Sequence, residues 1–288
     1  MTATPSLQEV CLQAKDGFSL AGTLYHPEQR PVGAVIVSSA TGVRQRYYRH
    51  LATYLAQQGY LTLTYDYRGI GESRPSRLRG FPASLSTWAT LDKSAAIQYM
   101  LGQGLPLFWV GHSSGGQTVG LADGAEQLRA VVSVASGAGY CWKMTGVSGL
   151  MTAALLYGYV PVTTAIFGYA PARAIGQGQD LPAGVAQELA RWCRSPRYFA
   201  DHISPDQRQK LEALQLPWLA LSFSDDILID QEAVERLLSL YPGAQIERRR
   251  ITPPDIGQVQ IGHHGYFLPL RSGLLWPQLI DYFQGFIP

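Results

Sequence analysis

Apolar and polar positions along the first half of the chain alternate between two periodicities. Residues 33–39 are a continuous apolar run rich in β-branched side chains, which is typical of a strand buried on both faces of a parallel sheet. Residues 129–135 are a further predicted strand. Between these strands, residues 46–59 have helical apolar spacing and end on a glycine. The pattern therefore predicts strands and helices in alternation, as in a parallel sheet covered by helices on both faces.

The same alternation continues on both sides of one long interruption. Further predicted strands cover 7–13, 18–25, 60–66, 106–111, 217–223 and 245–251, and further helices cover 87–103, 114–123, 231–240 and 273–286. Residues 137–214 are rich in Gly, Pro and aromatic residues and have no clear strand pattern. We interpret 137–214 as a lid or cap inserted into one domain formed by 1–136 and 215–288.

Composition narrows the function classes. Only 15% of the 288 residues are charged, below the usual ~25%, which favours a large buried sheet or an apolar pocket. The net charge is +2 with basic residues spread along the chain, so no nucleic-acid partner is expected. Cys11, Cys141 and Cys193 are far apart, which indicates neither a metal site nor a disulfide framework. No secretory signal is visible, so a cytoplasmic protein is expected.

An uncharged stretch between Lys143 and Arg173 is long enough for a membrane helix, which needs about 20 apolar residues. Glycines, threonines and Pro161 interrupt it. We therefore favour an apolar lid or buried helices over a membrane span, and a membrane-associated lid stays as a further possibility.

The segment GHSSG at 111–115 follows a predicted strand and opens a predicted helix. This is the context of the G-x-S-x-G nucleophile elbow, where small flanking residues permit a strained turn. Ser113 is the candidate nucleophile, and Ser114 would supply only its backbone amide. His112 is expected to project the other way and not to act as the base. Alone, the motif is equally compatible with a Gly-rich turn without chemistry.

In a nucleophile-elbow enzyme the serine is followed along the chain first by an acid and then by a histidine, and this sequence has candidates in that order. Asp225 and Asp226 follow the strand at 217–223, and His263 and His264 follow the last predicted strand. A serine needs an imidazole to take its proton, and the imidazole needs an acid to orient it. Because the carboxyl ends of parallel strands meet at one edge of a sheet, these groups should lie together.

With these residues the chain resembles the α/β-hydrolase superfamily over nearly its whole length. The segment DYRGIGES at 66–73 is similar to its D-x-R-G-x-G-x-S pattern, and the chain also looks like a little-characterised group of bacterial predicted serine hydrolases. The resemblance implies an α/β-hydrolase fold: a mostly parallel eight-stranded sheet with helices on both faces and a helical lid inserted after the sixth strand.

The resemblance also bears on the acid and the base. In the family pattern D-x-x-x-P, Asp226 puts Asp230 at the proline position and Asp225 puts Ile229 there. The resemblance favours Asp226 because an adjacent pair of this kind usually uses its second member; Asp225 and Asp255 stay open. The family's Gly-His step favours His263 over His264.

A second oxyanion donor is expected in the loop after the strand at 33–39. Many relatives have His-Gly there, whereas this chain has SSATGV. Backbone amides suffice for an oxyanion hole, so we place the donor within 40–43 and choose Thr41, beside the Ser114 amide.

Aromatic residues in the lid, among them Tyr140 and Trp142, suggest a pocket for an apolar acyl or ring substrate, although each could simply pack the lid. Arg44, Arg46 and Arg49 follow the oxyanion loop. They either meet a substrate carboxylate or, as is commoner, form a solvated helix face.

The sequence as a whole predicts a serine hydrolase that cleaves a small or medium apolar ester, thioester or amide. It needs neither a metal nor an organic cofactor. Two alternatives stay open: an acyltransferase using the same residues, and a non-catalytic binder of an apolar ligand.

Overall fold

The computed structural model describes residues 5–141 and 146–287. One sheet has the strand order β1-β2-β4-β3-β5-β6-β9-β10. Strand β2 pairs antiparallel with β1 and β4, and the other pairs are parallel, so the predicted mostly parallel eight-stranded sheet is confirmed. Its strands are β1 (Ser6–Gln13), β2 (Ser19–His26), β3 (Gly33–Ser38), β4 (Tyr60–Tyr65), β5 (Leu107–His112), β6 (Ala130–Val134), β9 (Pro217–Phe223) and β10 (Gln245–Ile251).

Helices cover both faces of this sheet. They are α1 (Arg49–Gln57), α2 (Leu85–Thr87), α3 (Lys93–Leu101), α4 (Ser114–Gln117), α5 (Gly146–Ala153), α6 (Val160–Phe167), α7 (Ala183–Cys193), α8 (Pro205–Ala213), α9 (Gln231–Leu238), α10 (Ser272–Leu275) and α11 (Pro277–Gln284). All residues of β3, β5 and β6 are buried, as their continuous apolar sequences predict for strands covered on both faces.

Two predictions about local structure are wrong. The helix predicted over 114–123 ends at Gln117, because Thr118 leaves the helical conformation and a 3-10 turn follows. Two glycines in four residues also make this helix weak. Within 137–214, Tyr169–Ala170 (β7) and Leu181–Pro182 (β8) form a short antiparallel pair, too short to appear as a pattern in the sequence.

The segment between β6 and β9 contains helices α5 to α8 and the β7–β8 pair. Within it, Gly149–Phe167 is long and apolar enough to cross a membrane by length and composition, with 22% of its window buried. Length and composition alone are weak evidence for a span. The division into core and lid, and the cytoplasmic location, stay predictions.

The DYRGIGES segment after β4 builds a buried polar junction. The Asp66 carboxylate accepts backbone N–H groups from Gln45 at 2.8 Å and Glu72 at 3.0 Å. Gly71 has a positive φ of 52°, and a Cβ there would overlap that carboxylate. Arg68 Nε donates to Asp92 Oδ1 at 2.6 Å with both side chains buried. In this chain the motif therefore anchors the end of β4.

Replacing Arg68 with Met should lower the free energy of unfolding by about 3–5 kcal/mol, because it leaves the Asp92 carboxylate buried without its cation. As a control, Arg248→Met removes an ion pair with Glu235 whose side chains are 48% and 42% exposed. An exposed pair contributes about 0–1 kcal/mol. Urea unfolding of both variants tests this, and equal losses would contradict the structural role of Arg68.

Candidate active site

Ser113 lies in a strained turn between β5 and α4. Its φ of 51° and ψ of −117° place a non-glycine residue in a rare backbone conformation, which costs about 1–3 kcal/mol and is concentrated at functional sites. Gly111 and Gly115 make the turn possible, because a Cβ on either would overlap neighbouring backbone. The turn therefore has the backbone strain and the tight glycine packing of a nucleophile elbow.

The backbone of Ser113 is firmly held. Its N–H donates to Val134 O at 2.9 Å, and its carbonyl accepts from Gly116 N at 3.0 Å and from Ser136 Oγ at 2.9 Å. Within 5–141 and 146–287, its Oγ makes no hydrogen bond, including none with His263. The hydroxyl is thus available, on a backbone that β5 and β6 keep in place.

His263 and Asp226 form a close pair in the loops after β10 and β9. His263 Nδ1 lies 2.8 Å from Asp226 Oδ2, with the side chains 8% and 1% exposed. The other carboxylate oxygen, Oδ1, accepts the backbone N–H groups of Leu228 at 2.8 Å and Ile229 at 3.1 Å. These bonds fix the carboxylate, which in turn orients the imidazole.

The other two aspartates considered as acids do not contact His263. Asp225 Oδ2 accepts the backbone N–H groups of Ile261 at 2.7 Å and Gly262 at 3.0 Å, so it holds the loop that leads to His263. Asp255 accepts the N–H of Thr252 in its own turn. The structure thus brings Asp226, and neither of the other two, to the ring.

Within the described residues, His264 makes no hydrogen bond with the Asp226 carboxylate, which pairs with His263. The backbone carbonyl of His264 accepts from the Tyr47 hydroxyl at 2.9 Å, and the residue is largely exposed. Burial of part of the ring, followed by the neighbouring His263, lowers the pKa of His264 below its ordinary value. His264 therefore lies beside the His263–Asp226 pair without joining it.

His112, expected to be no base, forms a buried connection between two loops. The Ala40 N–H donates to the Tyr48 hydroxyl at 2.9 Å, and that oxygen lies 2.8 Å from His112 Nδ1. His112 Nε2 lies 3.0 Å from the backbone carbonyl of His263. Burial, with His263 and His264 nearby, keeps the pKa of His112 well below its ordinary value.

A neutral His112 ring fits this chain of bonds in one tautomer. The carbonyl of His263 can only accept, so Nε2 carries the hydrogen and Nδ1 accepts from the Tyr48 hydroxyl. The sequence showed His112 only as a neighbour of Ser113. The structure shows that it connects the loop carrying Thr41 to the backbone of His263.

Thr41 lies in the loop after β3, and Ser114 is the first residue of α4, which follows β5 at the same sheet edge. Among the residues that the structure describes, neither backbone N–H is occupied by a protein acceptor. The loop before α1 is held by the Ala40–Tyr48 bond. Both amides are therefore available to an oxyanion.

Lys93, which was not a predicted site residue, also lies in this region. Its Nζ is fully buried and donates to Ser114 O at 2.8 Å, Gly115 O at 3.1 Å and Thr118 Oγ1 at 2.9 Å. Burial lowers its pKa well below the ordinary lysine value. Lys93 thus fixes carbonyl groups of the turn after Ser113, and a lysine on a helix carries no sequence signal for such a role.

Of the two residues predicted to line the substrate pocket, only Tyr140 lies in the part of the chain that the structure describes. Tyr140 is partly buried and lies 6.0 Å from the Arg236 guanidinium; no described contact joins it to Ser113. Trp142 lies outside the described residues. Within those residues, no group of three or more His, Cys, Asp or Glu side chains could hold a metal ion.

The family model described as "Serine aminopeptidase, S33" (Hydrolase_4) matches residues 29–251, well over half of the chain. The chain belongs to this α/β-hydrolase family. The predicted superfamily is thereby confirmed, and the protein is an enzyme of the α/β-hydrolase type. No curated protein matches its sequence significantly.

Solved structures of esterases and lipases share the fold. A thermostable carboxyl esterase from Bacillus coagulans is 14% identical, with a TM-score of 0.65 over 99% of this chain and 100% of that one. A soluble variant of monoglyceride lipase from Saccharomyces cerevisiae is 14% identical, with a TM-score of 0.68 over 100% and 97%. An esterase from Exiguobacterium antarcticum is 18% identical, with a TM-score of 0.60 over 96% and 100%.

Proposed function

We propose that the hydrolase cleaves a small or medium apolar ester, thioester or amide through an acyl-enzyme. Ser113 is the nucleophile, His263 the base and Asp226 the acid that orients it. The observation that carries the proposal is the 2.8 Å contact between the buried Asp226 carboxylate and His263 Nδ1, at the sheet edge where Ser113 occupies its strained turn.

The reaction follows from the roles of these groups. Ser113 Oγ attacks the scissile carbonyl while His263 Nε2 takes its proton, and Asp226 stabilises the imidazolium that forms. His263 then returns the proton to the leaving oxygen, sulfur or nitrogen. Water, activated by the same imidazole, cleaves the acyl-enzyme and regenerates the Ser113 hydroxyl.

The tetrahedral intermediate carries a negative oxygen that needs donors. We assign this role to the backbone N–H groups of Ser114 and Thr41, which have no acceptor in the described protein. One such donor is worth about 3 kcal/mol of transition-state stabilisation. Lys93 fixes the backbone at Ser114 through its hydrogen bond to the Ser114 carbonyl, and His112 fixes the backbone at His263 in the same way.

For the substrate class, the fold neighbours include proteins named as a carboxyl esterase and a monoglyceride lipase. The apolar helical stretch Gly149–Phe167 adds support, since pockets for apolar acyl groups are lined by such residues. We propose that 137–214 is a lid on the core formed by 1–136 and 215–288, with Tyr140 and Trp142 facing the acyl group, in a cytoplasmic enzyme.

Labelling of the wild-type protein tests the proposal. A fluorophosphonate should add a single adduct, on Ser113 rather than Ser114, and hydrolysis of 4-nitrophenyl butyrate should fall in proportion to labelling. Peptide mass spectrometry locates the adduct, and heat-unfolded protein is the control, because only the folded site activates the hydroxyl. An adduct elsewhere, or full activity in fully labelled protein, would overturn it.

A further inference from the structure

A groove of about 430 Å³ opens beside His264, the residue that follows His263 in the chain. Its walls are the turn at 42–44, residues 46, 47 and 49, the pair at 178–179 from the inserted segment, and His264. The N–H of Gln179 donates to Gly42 O at 2.8 Å, which attaches the inserted segment to this wall. Sites for small molecules occupy about 300–1,000 Å³, so the groove can hold part of a substrate.

The wall of the groove is strongly basic. Three arginines, Arg44, Arg46 and Arg49, line it, and no lining residue is acidic. Over 5–141 and 146–287, no carboxylate lies within 4.0 Å of these three guanidinium groups. By contrast, Arg68, in the segment after β4, forms two ion pairs.

The Arg44 guanidinium has a hydrogen-bond acceptor for one of its nitrogens but not for another. Its Nη2 donates to Gln179 Oε1 at 2.7 Å, whereas its Nε is buried and has no acceptor in the described protein. Arg49 Nη1 donates to the backbone carbonyl of Arg46 at 3.2 Å, which holds the Arg49 side chain against the backbone of the same wall. The planar fork of a guanidinium matches carboxylate and phosphate oxygens.

The groove also adjoins the proposed reaction centre on two sides. Its residue Gly42 directly follows Thr41, the proposed oxyanion donor, and its residue His264 directly follows His263. The groove is therefore formed by the two loops that carry Thr41 and His263.

We propose that this arginine groove binds a carboxylate or phosphate group of the substrate. The natural substrate is then an amphipathic ester or thioester, with an apolar part toward the inserted segment and an anionic group in the groove. This inference rests on the proposed function for its catalytic setting. The anion belongs either to the acyl part or to the leaving alcohol or thiol.

Two matched pairs of esters distinguish these sources. In the first pair, 4-nitrophenyl hemiglutarate carries a carboxylate on its acyl group and 4-nitrophenyl valerate is its neutral counterpart. In the second pair, 1-butyrylglycerol 3-phosphate carries a phosphate on its alcohol and 1-butyrylglycerol is its neutral counterpart. The wild-type hydrolase should prefer the anionic member of one pair. In Arg44→Gln/Arg46→Gln, the ratio of kcat/KM for the anionic over the neutral ester should fall about ten-fold or more, mainly through KM.

Arg129→Gln is the control variant. Arg129 is exposed and directly precedes β6, at the opposite edge of the sheet, so this change should leave the ratio as in wild type. The proposal of an anion-binding groove would be overturned if the double variant left the ratio of kcat/KM values unchanged. It would also be overturned if the wild-type protein preferred the neutral ester in both pairs.

Binding separates this inference from the catalytic one. Ser113→Ala protein is titrated calorimetrically with monoethyl glutarate and with glycerol 3-phosphate, in the presence and absence of the two arginine changes. If the wild-type protein cleaves no ester, the proposed function fails. The proposal of an anion-binding groove is still supported if the Ser113→Ala protein binds one of these anions and the two arginine changes abolish that binding. Absence of binding to both anions in the Ser113→Ala protein overturns it.

Discussion

Ser113→Ala is expected to lower kcat for ester hydrolysis by about a million-fold, because it removes the hydroxyl proposed to form the acyl-enzyme. A residual rate above the uncatalysed reaction should persist, since the oxyanion donors and the binding contacts remain. The fold should be unchanged: Ala keeps the strained backbone, and Ser113 Oγ makes no hydrogen bond in the described protein. Steady-state kinetics with 4-nitrophenyl butyrate and circular dichroism test both statements.

Ser114→Ala is the matched comparison at the neighbouring serine. The Ser114 hydroxyl is buried and has no hydrogen-bond partner within 5–141 and 146–287, and the substitution keeps the backbone amide assigned to the oxyanion. We expect kcat to fall at most about ten-fold. A larger loss in Ser114→Ala than in Ser113→Ala would make Ser114 the nucleophile and overturn the assignment.

Asp226→Asn should lower kcat by about ten-thousand-fold with little change in KM. The carboxylate accepts from His263 Nδ1 and from two backbone amides at once. The asparagine oxygen would remain with the backbone amides, and its NH₂ group would face Nδ1. The imidazole would then carry its hydrogen on Nε2, where it cannot take the Ser113 proton.

Asp225→Asn is the control for that result. Asp225 accepts two backbone N–H groups of the loop before His263 through one oxygen, and an amide oxygen can accept the same bonds. A loss of about ten-fold or less is expected. If Asp225→Asn were as damaging as Asp226→Asn, the orienting acid would have been assigned to the wrong residue.

Prediction from the sequence was most accurate where burial alone determines local structure. The strand predicted over 217–223 has the same bounds in the fold, and 33–39 differs by one residue, because a strand buried on both faces requires a continuous apolar run. The helix predicted after Ser113 was too long. Residues after the helix pack closely against side chains from elsewhere in the chain: a Cβ at Gly120 would meet Tyr241. Because such neighbours are distant in sequence, a local pattern does not show where the helix ends.

By itself, the sequence determined the alternating sheet, the strained turn around Ser113, and the chain order of serine, acid and histidine. These depend on local residue types and on the rule that parallel strands end at one edge. The tertiary structure decided which of two adjacent aspartates reaches His263, that His112 connects two loops, and that three arginines share a groove. The physical reason is that consecutive side chains leave a strand end in different directions, so their partners depend on which distant loops the fold brings beside them.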